Sequence, residues 1–303
     1  MSMSQAGIME NCSNQCDFCL LKEKKILSID EIIYRLDFLM KNMDYIDWQD
    51  KFKHGISILG GELFFIDDPR YIEKFMEFID CIIEKIIKPS TYKFVRCSTV
   101  SNGIYDPNIL LFKVMDRFKE TVGLDRFDIN FSYDLKYRFK TEESRLRCLE
   151  TIKAVNDRYN KPVNVQMILT QHVINLYNEG KFDYDDIVKN HLNGNHLYFL
   201  YPHKSEKACQ LDEFFFNRPD FINFIAEYKS EYPYVCECFI QSVINSSKFK
   251  HSMWNDRESD DVTQQPVLED DKSVFNEKCG HSVLYQCYSD TDRCMLCDLE
   301  LLD

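Results

Sequence analysis

Glu10-Asn11-Cys12-Ser13-Asn14-Gln15-Cys16-Asp17-Phe18-Cys19 sets three cysteines at C-x3-C-x2-C spacing. Thiolates this close can converge on one soft metal centre. A cubane iron–sulfur cluster that only carries electrons takes four thiolates. Three leave one iron open, and an open metal position is where substrate chemistry can occur. The competing reading is a structural zinc site. Such a site recruits a fourth ligand at C-x2-C or H-x3-H spacing, and no such ligand lies near this stretch.

Working outward, Gln5 to Met9 is a short, mildly apolar run that can serve as a first strand delivering the cysteine loop. After Cys19 the polar run Lys22-Glu23-Lys24-Lys25 leaves the loop. Ser28-Ile29-Asp30-Glu31 is a capping box. It opens a helix with Ile32, Ile33, Leu36, Leu39 and Met40 at helical spacing, ending near Asn42 to Asp44. His54 to Leu59 then reads as a strand running into Gly60-Gly61-Glu62. Paired glycines after a strand allow close approach to the backbone, although the same residues also suit a plain strand-to-helix turn.

The alternation continues. Pro69 to Ile87 is amphipathic, and Phe94 to Thr99 is strand-like and followed by the turn Ser101-Asn102-Gly103. Asn108 to Lys119 reads as a helix, Phe127 to Asp134 as a strand and Glu142 to Tyr159 as a helix. Val163 to Leu169 reads as a strand, Phe182 to His191 as a helix, His196 to Pro202 as a strand and Asp220 to Lys229 as a helix. Strands alternating with helices predict an α/β fold of parallel strands joined by right-handed crossovers. Periodicity does not separate an open sheet from a barrel.

The ordered set formed by the C-x3-C-x2-C loop with Phe18 before its last cysteine, Gly60-Gly61-Glu62 one helix and one strand later, and Ser101-Asn102-Gly103 after the next strand resembles the radical SAM enzymes. The resemblance implies a partial (β/α)6 barrel over residues 1–232, with its site at the C-terminal ends of the strands. It implies that Cys12, Cys16 and Cys19 hold a [4Fe-4S] cluster whose open iron binds the amino and carboxylate groups of S-adenosyl-L-methionine. That cofactor is then cleaved reductively to a 5′-deoxyadenosyl radical, which abstracts a substrate hydrogen. Gly60, Gly61 and Glu62 fall where the family meets the methionine amino group. Ser101 and Asn102, then Ser132 and Asp134 at the end of the fourth strand, fall where it meets the ribose. A basic residue in the next segment pairs with the carboxylate, to which guanidinium offers paired donors. Arg138, Arg145 and Arg147 are available, and Arg145 completes the expected cofactor set with Phe18.

Residues 233–303 change in composition. Cys236 and Cys238 precede an acidic stretch from Asn255 to Lys272, and Cys279, Cys287, Cys294 and Cys297 follow. Ser289 to Asp292 reads as a hairpin turn setting Cys287 opposite Cys294. The stretch from Cys279 to Cys297 resembles the opening of a SPASM/twitch extension, with Asp292 in place of the expected glycine. The chain ends soon after Cys297, so a shorter, twitch-like module is expected, with Cys236 or Cys238 completing one auxiliary iron–sulfur cluster. Cys294-x2-Cys297 with Cys279 or Cys287 equally meets the demand of tetrahedral zinc. Cys81 and Cys148 read as core residues, while Cys97 and Cys209 stay open.

The remaining expectations come from composition. With Asp and Glu outnumbering Lys and Arg 50 to 37, for a net charge of −13, nucleic acid is not an expected partner. Neither a membrane-spanning run nor a signal peptide is present, so the expected location is the cytoplasm and the expected state of the thirteen cysteines is reduced. A peptide or protein substrate is expected by analogy with twitch-bearing enzymes, with an external electron donor such as flavodoxin or ferredoxin. With Cys12 so near the start, an N-terminal peptide-recognition domain is not expected. The rivals are a non-enzymatic zinc or iron–sulfur scaffold and an activase that places a glycyl radical on a partner enzyme.

Overall fold

The computed structural model describes residues 4–19, 26–43, 55–90, 95–192, 195–200 and 207–215, with positions 220, 223–224, 227, 275–276 and 281–282. Strand β1 (Ser4–Met9) leads to α1 (Ile29–Asn42), β2 (Gly55–Gly60) and α2 (Pro69–Ile82), which runs on as a π-helical turn, Ile83–Ile87. Then come β3 (Arg96–Ser101), α3 (Leu111–Thr121), β4 (Phe127–Ser132), α4 (Glu142–Tyr159) and β5 (Asn164–Ile168). Helix α5 (Gln171–Asn178), the short α6 (Tyr184–Asp186) with its π turn Ile187–His191, and β6 (His196–Leu200) complete the series. The strands form one six-stranded sheet in sequence order, β1-β2-β3-β4-β5-β6. Parallel neighbours joined through helices give the expected α/β class.

Local chemistry accounts for the boundaries. Ser28 caps α1 in the expected reciprocal box: its hydroxyl accepts from Glu31 N–H at 3.2 Å, and Glu31 accepts from Ser28 N–H at 2.8 Å. Asp68 caps α2 and Pro69 opens it. Helix α4 starts at a Thr141 cap and ends where Asn160 turns left-handed at φ 48°. Helix α3 begins three residues later than its periodicity suggests, because Ile109 and Phe112 N–H first bond Asp106 and Pro107 carbonyls in a preceding turn.

The chain divides into two compact units. The first comprises residues 1–13, 23–130 and 267–303, and the second residues 14–22 and 131–266. In the first, Ile56, Ile58, Cys97 and Ile129 are buried on the strands, with Leu36, Phe75, Phe78, Ile79, Val114 and Phe118 buried on the helices. Alternate residues Ser57, Arg96, Asp128 and Asn130 are only half buried. They pair with one another or with neighbours: Ser98 Oγ donates to Ser57 Oγ at 3.1 Å, and Arg96 meets Asp128 at 2.9 Å. This period-two alternation puts Ser57, Arg96, Ser98, Asp128 and Asn130 on the less buried faces of their strands, together with Leu59 and Val100. In the second unit Val165, Met167, Leu197 and Phe199 are buried on β5 and β6, with Cys148, Ile152 and Val155 on α4.

The main departure from the sequence expectation is α5, which comes directly after β5 and is capped by Thr170 accepting from Val173 N–H. The expected helix Phe182 to His191 is a single turn followed by a π turn. Phe275–Asn276 pairs antiparallel with His281–Ser282, just ahead of the expected hairpin. That hairpin, Cys236, Cys238, Cys279, Cys287, Cys294 and Cys297 lie outside the described residues. Among the described residues no helix is long and apolar enough to cross a membrane.

Candidate functional site

In the first unit the site begins with an irregularity in β1. Its register against β2 shifts between Gly7 and Met9, leaving a bulge at Ile8. The Ile8 carbonyl accepts instead from buried Arg35 of α1 at 3.3 Å. A bulge at the end of a strand re-aims the residues beyond it, which here are Glu10 to Cys12. Asn11 closes the base of the cysteine loop: its amide donates to Leu27 C=O at 2.9 Å and its oxygen accepts from Leu27 N–H at 3.0 Å.

Gly60-Gly61-Glu62 packs onto that base. Gly61 N–H donates to Met9 C=O at 2.9 Å and Glu62 N–H to Asn11 C=O at 2.8 Å. A Cβ on Gly61 would stand 2.2 Å from Asn11 O and 2.3 Å from Glu10 O, so no other residue fits there without moving the backbone. The close approach anticipated for Gly61 is therefore an approach of the chain's own backbone.

The Glu62 side chain is 1% exposed. It accepts from Asn102 N–H at 2.7 Å, from Phe64 N–H at 3.3 Å and from Ser101 Oγ at 3.1 and 3.2 Å. Burial raises its pKa from 4.5 to about 7, against the pull of these hydrogen bonds. Ser101 Oγ is also hydrogen-bonded to Tyr105 OH at 2.8 Å and accepts from Gly103 N–H at 3.0 Å. Asn102 Oδ1 accepts from Ile104 N–H at 2.8 Å, which fixes the amide orientation. Its Nδ2 therefore faces the loop and donates to Cys12 Sγ at 3.5 Å and Ser13 Oγ at 3.3 Å. Cys12, Glu62, Ser101 and Asn102, identified separately in the sequence, thus stand in one hydrogen-bonded chain.

The second unit holds Cys16, Phe18 and Cys19. Cys19 N–H donates to Cys16 C=O at 3.2 Å in a tight turn. Phe18 is 9% exposed and stacks on Phe214 with centroids 5.3 Å apart and planes 25° apart. Tyr137, Ile168 and Ala208 complete that cluster, and Cys16 packs against it. Ser132 is buried, and Asp134 is buried with its Oδ1 accepting from Lys136 N–H at 2.9 Å and Tyr137 N–H at 2.6 Å. Burial raises the Asp134 pKa.

The three arginines separate clearly. Arg145 is held by Glu142 and donates to Tyr133 OH at 3.0 Å, and the Glu142 hydrogen bonds raise its pKa further. Arg147 pairs with Glu150 on exposed helix surface. Arg138 donates to Cys16 Sγ at 3.6 Å and lies 4.9 Å from the Phe18 ring centroid. Asn14, which carries no motif signal in the sequence, donates to Cys16 Sγ at 3.4 Å and to Arg138 C=O at 3.0 Å.

Cys12, Cys16 and Cys19 form no disulfide and are half buried. Among the described residues no group of three or more His, Cys, Asp or Glu side chains is set to hold a metal ion. The surroundings nevertheless suit sulfur that bears charge, because amide and guanidinium N–H groups point at Cys12 and Cys16. Each of these two sulfurs is thereby placed to be stabilised as a thiolate. Of the cysteines left open, Cys97 is fully buried, with burial pushing its thiol pKa up, and Cys209 is exposed. Cys148 is fully buried as expected, and half-buried Cys81 lies 3.4 Å from the Met43 sulfur. No protein-family model matches the chain, and no curated protein matches it.

Proposed function

We propose that the chain is a radical SAM enzyme built on a partial (β/α)6 barrel, with Cys12, Cys16 and Cys19 as the ligands of its cluster. The observation that carries the reading is the run of hydrogen bonds from the cysteine loop through Gly61 and Glu62 to Ser101 and Asn102. Three motifs far apart in sequence come together at the C-terminal ends of neighbouring parallel strands, where α/β folds bind ligands. A turn motif with no function has no need of an amide aimed at Cys12.

A [4Fe-4S] cluster held by Cys12, Cys16 and Cys19 would supply one electron to S-adenosyl-L-methionine, giving methionine and a 5′-deoxyadenosyl radical that would take a hydrogen from substrate. The chain's own residues prepare the place. Asn102, Asn14 and Arg138 direct N–H groups at the ligand sulfurs. Glu62 holds the Ser101–Asn102 turn to the Gly60–Gly61 turn; its carboxylate is occupied by that brace. Ser132 and Asp134 at the end of β4 are the ribose-side candidates. In such a barrel the face bearing Ser57, Ser98, Arg96, Asp128 and Asn130 would line the interior. Donors and acceptors along it favour a polar substrate, and a peptide or protein side chain is the substrate class we assign. The electron would come from a flavodoxin- or ferredoxin-class donor. The cysteines from Cys236 onward would hold an auxiliary cluster or zinc.

The test is anaerobic reconstitution with iron and sulfide, then addition of dithionite and S-adenosyl-L-methionine. The expected result is 5′-deoxyadenosine from the native chain and none from Cys16→Ala. Tight zinc uptake, with no iron bound and no S-adenosyl-L-methionine bound, would replace the enzyme reading with a scaffold.

A further inference from the structure

Arg138 is a half-buried cation seated between an aromatic ring and a cysteine sulfur. Its guanidinium lies over the Phe18 ring, and Phe18 in turn stacks on Phe214, so an aromatic platform sets its plane. Its Nε is buried and has no hydrogen-bond partner. Its Nη1 donates to Cys16 Sγ at 3.6 Å. The loop that carries it is tied down at several points. Asp134 closes the preceding turn through Lys136 and Tyr137 N–H. Asp17 N–H donates to Tyr137 C=O at 3.0 Å, Asn14 donates to Arg138 C=O at 3.0 Å, and Lys140 pairs with Asp17. This placement is independent of the Arg145 pairing with Glu142 and Tyr133.

A partly desolvated cation with an unpartnered N–H is unfavourable beside a neutral thiol. Beside a sulfur bearing negative charge it becomes the donor of a charge-assisted hydrogen bond. Hydrogen bonds to ligand sulfurs and nearby charge are among the factors that set iron–sulfur reduction potentials. One-electron reduction by a flavodoxin- or ferredoxin-class donor, itself oxidised by one electron, adds one negative charge to the centre. A fixed cation at a ligand sulfur stabilises that reduced form.

We propose that Arg138, seated on the Phe18–Phe214 platform, is a positioning residue that raises the reduction potential of the cluster held by Cys16, with Asn14 as a second, neutral donor to the same sulfur. The inference rests on the cluster assignment under Proposed function. It predicts that Arg138→Gln makes the centre about tenfold harder to reduce, which is about 59 mV more negative for one electron. Arg138→Lys keeps the charge and loses the planar fork, so it shifts the potential in the same direction by less.

The experiment uses the reconstituted full chain and measures iron and sulfide content, then an EPR-monitored redox titration without substrate. A native chain with four irons at the cysteine-loop site and a graded negative shift, native to Lys to Gln, supports the inference. An unchanged or raised midpoint in an Arg138→Gln chain with full iron overturns it and leaves the cluster assignment standing. If Arg138→Gln fails to fold or to hold iron, the Lys variant decides, since an unchanged midpoint there overturns the proposal. A native chain that takes up no iron removes the cluster assignment and this inference with it.

Discussion

Replacing Glu62 with Gln should change how stability depends on pH. The carboxyl is fully buried at the junction of the Gly60–Gly61 and Ser101–Asn102 turns, and burial raises its pKa from 4.5 to about 7. The folded chain keeps the proton up to about pH 7, whereas the unfolded chain releases it near pH 4.5. Between those values the folded state binds more protons, so stability falls as pH rises and levels off above about pH 7. At 1.36 kcal/mol per pH unit the full effect is about 3 kcal/mol. Glu62→Gln has no carboxyl to ionise and keeps an oxygen to accept from Asn102 N–H. The check is urea denaturation of the metal-free chain, in reductant, at steps from about pH 4.5 to 8, read as the native-minus-variant difference so that other groups cancel. We expect that difference to move against the native chain by about 3 kcal/mol across the window, by the same linkage. A difference that is flat, or that favours the native chain as pH rises, would refute the account of Glu62 as a buried, easily protonated brace.

Gly61→Ala forces a methyl against Asn11 and Glu10 carbonyl oxygens at 2.2 and 2.3 Å; overpacking against rigid backbone should cost about 3 kcal/mol or more, seen as a lowered denaturation midpoint. Phe18→Ala removes the ring between Arg138 and Phe214 and should cost about 3 kcal/mol, whereas Phe18→Leu should recover more than half of that in the same assay. Asn11→Ala strips two partners from Leu27 and should cost about 2–4 kcal/mol; Asn11→Asp keeps the acceptor for Leu27 N–H but sets a carboxylate against Leu27 C=O, so it should not restore native stability. For both Asn11 variants, hydrogen exchange at Leu27 is the local readout, and native-like protection would contradict the clamp.

Much of the fold is legible in the sequence because its signals are local. The Ser28 box starts α1 within one residue of the expected point, and Thr141 with the turn at Asn160 brackets α4 as expected. Alternating apolar runs separated by helical periods are enough to place the strands of a parallel sheet. Helix α5 escapes because it is only eight residues long and begins just beyond the end of β5, which leaves few periodic apolar positions to mark it. A Thr170 cap was the available signal. The site motifs are legible as motifs, but their partners are not. That Gly61 receives the chain's own backbone, that Glu62 is turned inward, and that Arg138 faces Cys16 all depend on contacts between distant segments. Arg138, Arg145 and Arg147 carry identical charge in the sequence; packing alone separates Arg138 on Phe18 from Arg145 on Glu142.

Substrate gating can suppress turnover, so cofactor binding at the cluster tests the central claim more directly than product formation. The measurement is EPR of the reduced, reconstituted chain in which Cys279, Cys287, Cys294 and Cys297 are replaced by alanine, before and after addition of S-adenosyl-L-methionine. The account predicts one [4Fe-4S] signal that changes on addition and disappears in a further Cys12→Ala variant. A signal indifferent to S-adenosyl-L-methionine, or one that survives the loss of Cys12, would contradict it.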